Sequence, residues 1–414
     1  MTIPATRSFI ANNRTYQPPA KPIVVICVDG CADEYLDTTM ARDRMPAVKK
    51  MSLQGYRGIV RGALPSFTNV NNSSIVTGVS PAVHGISGNF FYDAEKDQEV
   101  MMNSSDYLRC ETILAAAARA GRKVAVVTAK EKLRDILSYQ LKGIAFSAEK
   151  ANQAKMETHG IEALEEIVGH PTPPIYSADA SLFVLRAGVA LIEKGLADFL
   201  YLSLTDYMQH TYAPEVEESL AFYEAMDLEI GRLLKAGAIV GATADHGMNA
   251  KIKEDGSPNV LFVEDLLTEK FGQGFRVICP ITDPYVKHHG ALGSYVVVHM
   301  SDLSRIEEVK SWLAMQPGVT EVHDRASATR VLQQPSDRTG DLVVLSGRDL
   351  VLGRRPQYHD LSALDGTLRS HGGRYEEMVP LVISHPLKPA YKMKVARDPR
   401  NFDVFDITIN GTVS

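Results

Sequence analysis

Short apolar runs alternate with amphipathic helical patterns through the first 244 residues of the chain. Almost wholly apolar runs, typical of strands that are covered on both faces, occur at 22–28, 123–129, 198–204 and 238–244. Between the runs, apolar residues recur at three- and four-residue intervals, most regularly at 216–237, which predicts a long helix. The alternation predicts an α/β fold with a mainly parallel sheet covered by helices on both faces.

The pattern changes after about residue 255, where shorter strand and helix segments extend to a linker marked by Pro335 and Gly340. We therefore predict a main core formed by residues 1–254 and 341–414. The residues between these two segments, 255–340, are predicted to form a small inserted α+β cap.

Composition narrows the classes of partner. The formal charge of −6 disfavours nucleic acid and anionic membranes, because both are bound by basic surfaces. The chain shows neither an apolar run that could span a bilayer nor the apolar core of a signal peptide. Four scattered cysteines, Cys27, Cys31, Cys110 and Cys279, fit a reducing compartment. We expect a cytoplasmic protein with a small-molecule substrate, and the sequence leaves a homodimer open.

Polar residues follow five of the predicted strands, at the point where each strand ends. They are Asp29, Thr68, Lys130 with Lys132, Thr205 with Asp206, and Asp245 with His246. Ligands bind beyond the carboxyl ends of the strands in an open α/β sheet, so these side chains are expected to meet at one edge. Any single Asp here fits a helix N-cap equally well. Three carboxylates together would repel one another unless cations neutralise them, which favours a metal site.

Histidines supply the other ligands of such a site. Asp206 and His210 are four residues apart, so a helix would place both on one face. His371 lies in a glycine-bearing loop before an apolar run. Three carboxylates and three imidazoles are oxygen and nitrogen ligands that zinc accepts. The set suits two ions better than one, because a single zinc takes about four ligands.

Thr68 stands where a helix is predicted to begin. Free backbone amides at a helix N-terminus attract anions such as phosphate. A threonine in this position most often only caps the helix. A nearby cation could also deprotonate its hydroxyl and make it a nucleophile.

Six segments together resemble the alkaline phosphatase superfamily, in its nucleotide pyrophosphatase/phosphodiesterase-like branch. They are CVDGCADEYLD, LPSFTNVNNSSIVTGVSPAVHGISGNFFYD, VTAKEKLR, LSLTDYMQH, TADHGM and HHGALGS, and the resemblance covers most of the chain. It implies an alkaline-phosphatase-like catalytic core that binds two zinc ions. One ion would be bound by Asp29, Asp245 and His246, with Thr68 approaching it, and the other by Asp206, His210 and His371.

The resemblance also implies roles in catalysis. Thr68 would be the nucleophile, and Asn89 would donate a hydrogen bond to a phosphoryl oxygen beside the Thr68 backbone amide. On its own, Asn89 after Gly88 fits an ordinary turn. Classical alkaline phosphatases use a serine and an arginine on the phosphate. The threonine and the lack of a matching arginine disfavour ordinary phosphomonoesterase activity.

Lys130 and Lys132 point to a particular leaving group. A C–P bond breaks acceptably only if the charge left on carbon spreads into a neighbouring carboxylate, which ammonium groups can stabilise. On an extended segment the two lysines would share one face. A solvated charge run is the alternative. With the family resemblance, the lysines favour zinc-dependent hydrolysis of phosphonoacetate to acetate and phosphate, through a phosphothreonine intermediate.

The role of one histidine pair and the overall function are both left with alternatives. His288 and His289 lie in the predicted cap and would help to bind a phosphonate, although exposed loop histidines are the commoner outcome. The same two-zinc core could also serve a phosphodiesterase or nucleotide pyrophosphatase. A third alternative is a non-catalytic, zinc-containing protein that captures phosphonates.

Overall fold

The structure is a computed structural model that describes residues 7–285, 289–362, 364 and 367–413. Its centre is a sheet of seven strands. In spatial order they are Tyr56–Arg61, Met378–Ile383, Ile239–Thr243, Ile23–Cys27, Phe199–Ser203, Val124–Thr128 and Ile144–Ser147. Met378–Ile383 runs antiparallel to both of its neighbours, and the other paired strands are parallel.

Helices cover both faces of this sheet. Consecutive residues of one strand show it: the Tyr201 ring lies 5.9 Å from that of Phe405, whereas Leu202 packs at Gly188 of another helix. Side chains at neighbouring positions of a strand point to opposite faces. The predicted α/β fold with a mainly parallel, covered sheet is therefore confirmed.

Sixteen α-helices lie within the residues that the structure describes. They are Asp33–Ala41, Pro46–Gln54, Thr68–Thr77, Pro81–His84, Ile113–Arg119, Glu131–Leu137, Met156–His159, Leu164–Val168, Ala178–Glu193, Tyr207–Thr211, Glu217–Lys235, Val263–Phe271, Ile306–Ala314, Arg325–Val331, Pro389–Val395 and Val404–Asn410. Within the described residues, no helix combines the length and the apolar character needed to cross a membrane. The cytoplasmic location and the oligomeric state stay predictions.

A second, four-stranded sheet is antiparallel throughout. Its order is Phe275–Ile278, Tyr295–Met300, Leu342–Ser346 and Val319–Asp324. Leu342–Ser346 lies beyond residue 340, so the sheet includes a strand that the sequence analysis assigned to the returning core. The division of the chain into core and cap stays a prediction.

The helix Thr68–Thr77 lies between two apolar clusters. Ile75 and Val76 belong to the cluster around the central sheet, and Phe67 and Val70 belong to the cluster around the second sheet. All ten residues of this helix are buried. Its first residue is therefore held between the two sheets.

Candidate active site

Four neighbouring strands of the central sheet deliver polar residues to one edge. In spatial order, the strands Ile239–Thr243, Ile23–Cys27, Phe199–Ser203 and Val124–Thr128 are followed by Asp245 with His246, Asp29, Asp206 and Lys130. These four strands are parallel to one another, so their carboxyl ends lie together. All five side chains are buried.

Asp206, His210 and His371 form one cluster with metal-binding character. Asp206 immediately precedes the helix Tyr207–Thr211, and His210 Nε2 lies 3.1 Å from Asp206 Oδ2. One ligand atom from each of the three residues lies within 4.8 Å of the other two. The structure thus brings together the three residues expected for one ion.

A second cluster contains Asp29, Asp206 and His246, with ligand atoms again within 4.8 Å of one another. The resemblance placed Asp245 in this set, whereas the structure groups Asp206 with it. Asp245 Oδ1 accepts hydrogen bonds from the backbone N–H groups of Gly30 and His246, and Oδ2 accepts one from Asn72. Asp245 Oδ2 still lies 3.8 Å from His246 Nε2, so Asp245 borders the cluster.

The three histidines are held in the same way. Nδ1 of His210, His246 and His371 lies 2.7–2.8 Å from the backbone carbonyls of Arg369, Gly247 and Ser66, respectively. A carbonyl only accepts, so each Nδ1 carries the proton. In the neutral rings Nε2 then keeps its lone pair, which is the arrangement of a metal-binding histidine.

Charge is crowded in this buried site. Burial and then the neighbouring Asp29 raise the pKa of Asp245 to about 8. Burial lowers the pKa of His246, but Asp245 and Asp29 outweigh it and raise the value to about 9. Burial, with His246 and His210, holds the pKa of His371 well below its ordinary value. The raised pKa of Asp245 reflects its repulsion by Asp29, and a cation bound between the two carboxylates would relieve that repulsion.

The cluster fits a divalent metal. Asp29 Oδ1 and His246 Nε2 are fully buried and 3.2 Å apart, and within the described residues neither makes a hydrogen bond. Buried polar atoms are normally satisfied, and the ion pair between these two atoms holds only while the His246 ring is protonated, so a neutral ring needs another partner. A metal ion bound by both would supply it, and the oxygen and nitrogen donors match zinc.

Thr68 is fixed beside this cluster. It is the first residue of its helix, and the Asn72 amide donates both to the Thr68 carbonyl (3.1 Å) and to Asp245 Oδ2 (3.2 Å). The His371 loop packs on the residue before it: Gly372 has φ +122°, and a Cβ there would lie 2.5 Å from the Phe67 ring. Only glycine allows that approach.

Asn89 lies at the same helix N-terminus. Its Oδ1 accepts a hydrogen bond from the Asn69 backbone N–H at 3.0 Å, and its Nδ2 donates to the Ile281 carbonyl at 3.3 Å. Asn89 is buried, with 1% of its surface exposed. Its amide nitrogen therefore lies close to the helix end at which the anion is expected.

The lysines lie at the site, although not on an extended segment. A helix begins at Glu131, so Lys130 precedes it and Lys132 lies in its first turn. The predicted extended segment was therefore wrong. A helix of seven residues is too short for its apolar periodicity to show in the sequence. Lys130 Nζ donates to Asp206 Oδ1 (2.6 Å) and Asp29 Oδ2 (3.0 Å), and Lys132 Nζ donates to Asp283 Oδ2 (2.5 Å).

Both ammonium groups are buried, and their environments differ. Burial lowers the pKa of Lys130, but Asp206 and Asp29 outweigh it and hold the pKa well above its ordinary value. For Lys132, burial dominates over the attraction of Asp283 and lowers the pKa. The ordinary lysine pKa is 10.5, so Lys130 is firmly cationic.

His289 is buried near the first cluster, with its ring centroid 5.5 Å from that of His210. Its Nδ1 accepts a hydrogen bond from the Ala291 N–H, and its Nε2 lies 3.7 Å from Asp283 Oδ1. His289 is thus not an exposed loop histidine. His288 lies outside the described residues.

Three further residues lie around the lysines and were not predicted from the sequence: Tyr176, Asp283 and Tyr285. Tyr176 donates a hydrogen bond to Asp206 Oδ1 at 3.3 Å, and its ring stacks on that of Tyr285. Asp283 and Tyr285 come from the segment TDPY, shortly before the histidine pair. Their closeness in sequence to His288 and His289 could have indicated that Asp283 and Tyr285 lie at the site. The sequence around Tyr176 gives no such indication.

The sequence and fold of this chain are similar to those of known proteins. The family described as Type I phosphodiesterase / nucleotide pyrophosphatase matches residues 23–374. Crystal structures of phosphonoacetate hydrolase from Sinorhizobium meliloti 1021, one in complex with phosphonoformate and one with phosphonoacetate, are 43% identical in sequence to this chain. Each alignment covers 99% of this chain and 100% of the other, with a TM-score of 0.94.

More distant likenesses are limited to the fold or to short segments. Murine ectonucleotide pyrophosphatase / phosphodiesterase 5 has a TM-score of 0.62 at 16% identity, over 95% of this chain and 96% of that one. Venom phosphodiesterase of Naja atra is 33% identical over 86 residues, which are 20% of this chain and 10% of the venom protein. Alkaline phosphatase PafA of Elizabethkingia meningoseptica is 31% identical over 91 residues, 22% of this chain and 17% of that protein.

The matched segments thus span less than a fifth of these two curated relatives. The family match, in contrast, extends over most of the chain, from the first central strand to the loop that follows His371. The chain belongs to the type I phosphodiesterase / nucleotide pyrophosphatase family of the alkaline phosphatase superfamily.

Proposed function

We propose that this protein hydrolyses the C–P bond of phosphonoacetate, giving acetate and phosphate. The observation that carries the proposal is the pair of buried ammonium groups, Lys130 and Lys132, at the same sheet edge as the carboxylate and histidine clusters. A phosphodiester leaving group has no carboxylate for such a pair to bind. The likeness to phosphonoacetate hydrolase over the full chain supports the same substrate.

Two zinc ions are proposed as cofactors. Asp206, His210 and His371 would hold one, and Asp29 and His246, with Asp245 beside them, would hold the other near Thr68. When bound, the ions would lower the pKa of the Thr68 hydroxyl and of water, and would offset phosphoryl charge. The buried Asp29 Oδ1 and His246 Nε2, which lie 3.2 Å apart and make no hydrogen bond within the part of the chain that the structure describes, support this assignment.

The first chemical step is proposed at Thr68. The hydroxyl gives up its proton, and its oxygen attacks phosphorus and forms a P–O bond as the C–P bond breaks. The Thr68 backbone amide and the second N–H of the Asn89 side-chain amide would orient the phosphoryl oxygens, with Asn89 held against the helix by the Asn69 N–H. The electron pair of the broken bond leaves with carbon and spreads into the carboxylate as an enediolate, which Lys130 and Lys132 would stabilise.

The second step restores the protein. The enediolate takes up one proton at carbon, which balances the proton that Thr68 released, and leaves as acetate. Water then attacks phosphorus, the P–O bond to Thr68 breaks, and phosphate and the free hydroxyl are regenerated. The side-chain amide of Asn72 holds the helix end next to Asp245 through both steps, because it donates to the Thr68 carbonyl and to Asp245 Oδ2.

Phosphate release from a panel of phosphonates and phosphate esters tests this function. The zinc-loaded protein is expected to act on phosphonoacetate in preference to a nitrophenyl nucleotide diester. Thr68→Ala is expected to lose about a thousandfold or more in kcat, whereas Thr68→Ser retains measurable turnover because it keeps a hydroxyl.

The alternatives predict other results. Preference for the nucleotide diester would identify a phosphodiesterase. Zinc-dependent phosphonoacetate binding without turnover, unchanged in Thr68→Ala, would identify a binding protein.

A further inference from the structure

Two tyrosines from distant parts of the chain enclose the lysine pair. The rings of Tyr176 and Tyr285 are stacked, with centroids 5.2 Å apart and planes 14° apart. Lys130 Nζ lies 5.5 Å from the Tyr176 centroid and 5.8 Å from that of Tyr285. Lys132 Nζ lies 5.4 Å from the Tyr285 centroid. Ammonium groups within about 6 Å of an aromatic face are attracted to it.

Tyr176 is held in an unusual backbone conformation. Its φ is +51°, in the left-handed region that bulky residues rarely adopt. Its hydroxyl donates to Asp206 Oδ1, and its ring makes an edge contact with Tyr207, with centroids 5.4 Å apart. Strained residues of this kind cluster at functional sites, where surrounding contacts hold them in place.

Tyr285 is tied to the helix that carries Lys132. Its backbone N–H donates to Asp283 Oδ1 at 2.8 Å, and Asp283 also accepts from Lys132. Its hydroxyl donates to Glu149 Oε2 at 2.5 Å, and the same oxygen accepts from the Glu131 N–H. Tyr285 therefore has a fixed position relative to both lysines.

The tyrosine pair leaves the ammonium groups little access to solvent. The side chains of Lys130 and Lys132 are only 3% and 4% exposed. A bulky leaving group placed beside the ammonium groups would compete for space with the two rings, whose centroids lie 5.4–5.8 Å from them. Acetate, the leaving group of phosphonoacetate, has only two carbons including its carboxylate carbon. It needs much less space than an aryl or nucleotide leaving group.

We infer that Tyr176 and Tyr285 are specificity-determining residues that restrict the leaving group to a small carboxylate. The inference rests on the proposed function and goes beyond it, because it assigns the selection between small and bulky substrates to this pair. The aromatic faces also keep water from the ammonium groups, which strengthens their attraction for a carboxylate.

The experiment compares kcat/KM for phosphonoacetate and for bis(4-nitrophenyl) phosphate in the zinc-loaded protein. Tyr176→Gly removes one ring and tolerates the positive φ. Tyr285→Ala removes the other ring, and Tyr285→Leu replaces it with an apolar group that has no aromatic face. Tyr176→Phe and Tyr285→Phe keep the rings and lose only the hydroxyls.

Removing either ring is expected to shift the ratio of the two kcat/KM values by about tenfold or more toward the diester. The Phe variants are expected to stay within about twofold of the wild-type ratio, since the ring and not the hydroxyl selects the leaving group. Tyr285→Leu removes the ring and keeps only part of its volume, so a smaller shift in the same direction tests the inference if Tyr285→Ala does not fold.

Two results would overturn the inference while leaving the proposed function intact. One is an unchanged ratio in the ring-removal variants, and the other is an equal shift in the Phe variants. Wild-type protein with no turnover of phosphonoacetate would instead refute the proposed function, and the inference with it.

Discussion

The imidazole rings of His246 and His371 are stacked, with centroids 3.5 Å apart and planes only 6° apart. Each ring is anchored through Nδ1 to a backbone carbonyl, Gly247 for one and Ser66 for the other. Two imidazolium ions would repel strongly at this distance. The depressed pKa of His371, caused by burial and by His246, keeps that ring neutral. The stack therefore joins the two clusters, and its His371 ring is in the neutral form that binds metal.

Removing divalent metal is expected to abolish turnover and to lower the melting temperature, because the buried carboxylates then lose their neutralising cation. Each zinc site, with zinc at about 100 times its Kd, should stabilise the fold by about 2.7 kcal/mol over the depleted protein. Thermal unfolding with chelator and with added zinc measures the change. His371→Asn should show a much smaller zinc-dependent shift, whereas the exposed His170→Asn should match wild type. Full activity and an unchanged melting temperature after metal depletion would contradict the ligand assignment.

Lys130 and Lys132 are expected to stabilise a leaving group that carries a carboxylate, and therefore to matter most for phosphonoacetate. Lys132→Ala should lower kcat on phosphonoacetate by about a hundredfold and should affect an activated aryl phosphodiester much less. Lys130→Ala should show the same selectivity with a larger loss on both substrates, since Lys130 also bonds to Asp29 and Asp206. Steady-state kinetics on both substrates measures the difference. Lys150→Ala, at an exposed position, serves as the control. Equal losses on the two substrates would show that the lysines do not select the leaving group.

The central sheet could be predicted because its strands are apolar throughout and end in polar residues. Asp29, Asp206 and Asp245 followed from that rule, and His210 from its spacing to Asp206. The long helix Ala178–Glu193 was not identified, and its first residues follow the loop that holds Tyr176. Nothing in the local sequence relates Tyr176 to Tyr285, because their contact depends on how two loops that are distant in the chain meet. Asp206 belongs to both clusters for the same reason: sharing depends on distances across the sheet edge.

Glu264 is expected to make stability depend on pH. Burial raises its pKa, but hydrogen bonds from the Val277 N–H, Arg355 and Arg354 outweigh it and hold the pKa below its ordinary value of 4.5. A depressed pKa stabilises the fold above 4.5, and this contribution is lost as pH falls through the folded-state value. Glu264→Gln should therefore lower the free energy of unfolding by about 1–3 kcal/mol near neutral pH.

The difference between wild type and Glu264→Gln should shrink at pH values below 4.5. Urea unfolding of both proteins across this pH range measures it. Glu269→Gln, on the same helix and exposed, should change stability by less than about 0.5 kcal/mol at any pH. A constant difference between Glu264→Gln and wild type across the range would show that the carboxylate charge is not responsible.

Lys251 and Glu376 form an ion pair with both side chains 0% exposed, and Nζ lies 2.9 Å from Oε1. Lys251 also donates to Ser294 Oγ, and Glu376 Oε2 accepts from the Gly373 N–H in the loop of His371. Lys251→Met leaves a buried carboxylate without its cation, so it should cost about 3–5 kcal/mol in the free energy of unfolding.

The double variant Lys251→Met, Glu376→Gln should cost clearly less than the two single variants added together, because neither charge is then left alone in the interior. Urea unfolding of the single and double variants gives this coupling. Lys310 pairs with Asp324 nearer the surface, where each side chain is 27% exposed. Lys310→Met should therefore cost at most about 1 kcal/mol. Strictly additive costs for the Lys251 and Glu376 variants, or a Lys251→Met cost no larger than that of Lys310→Met, would mean that burial adds nothing to this pair.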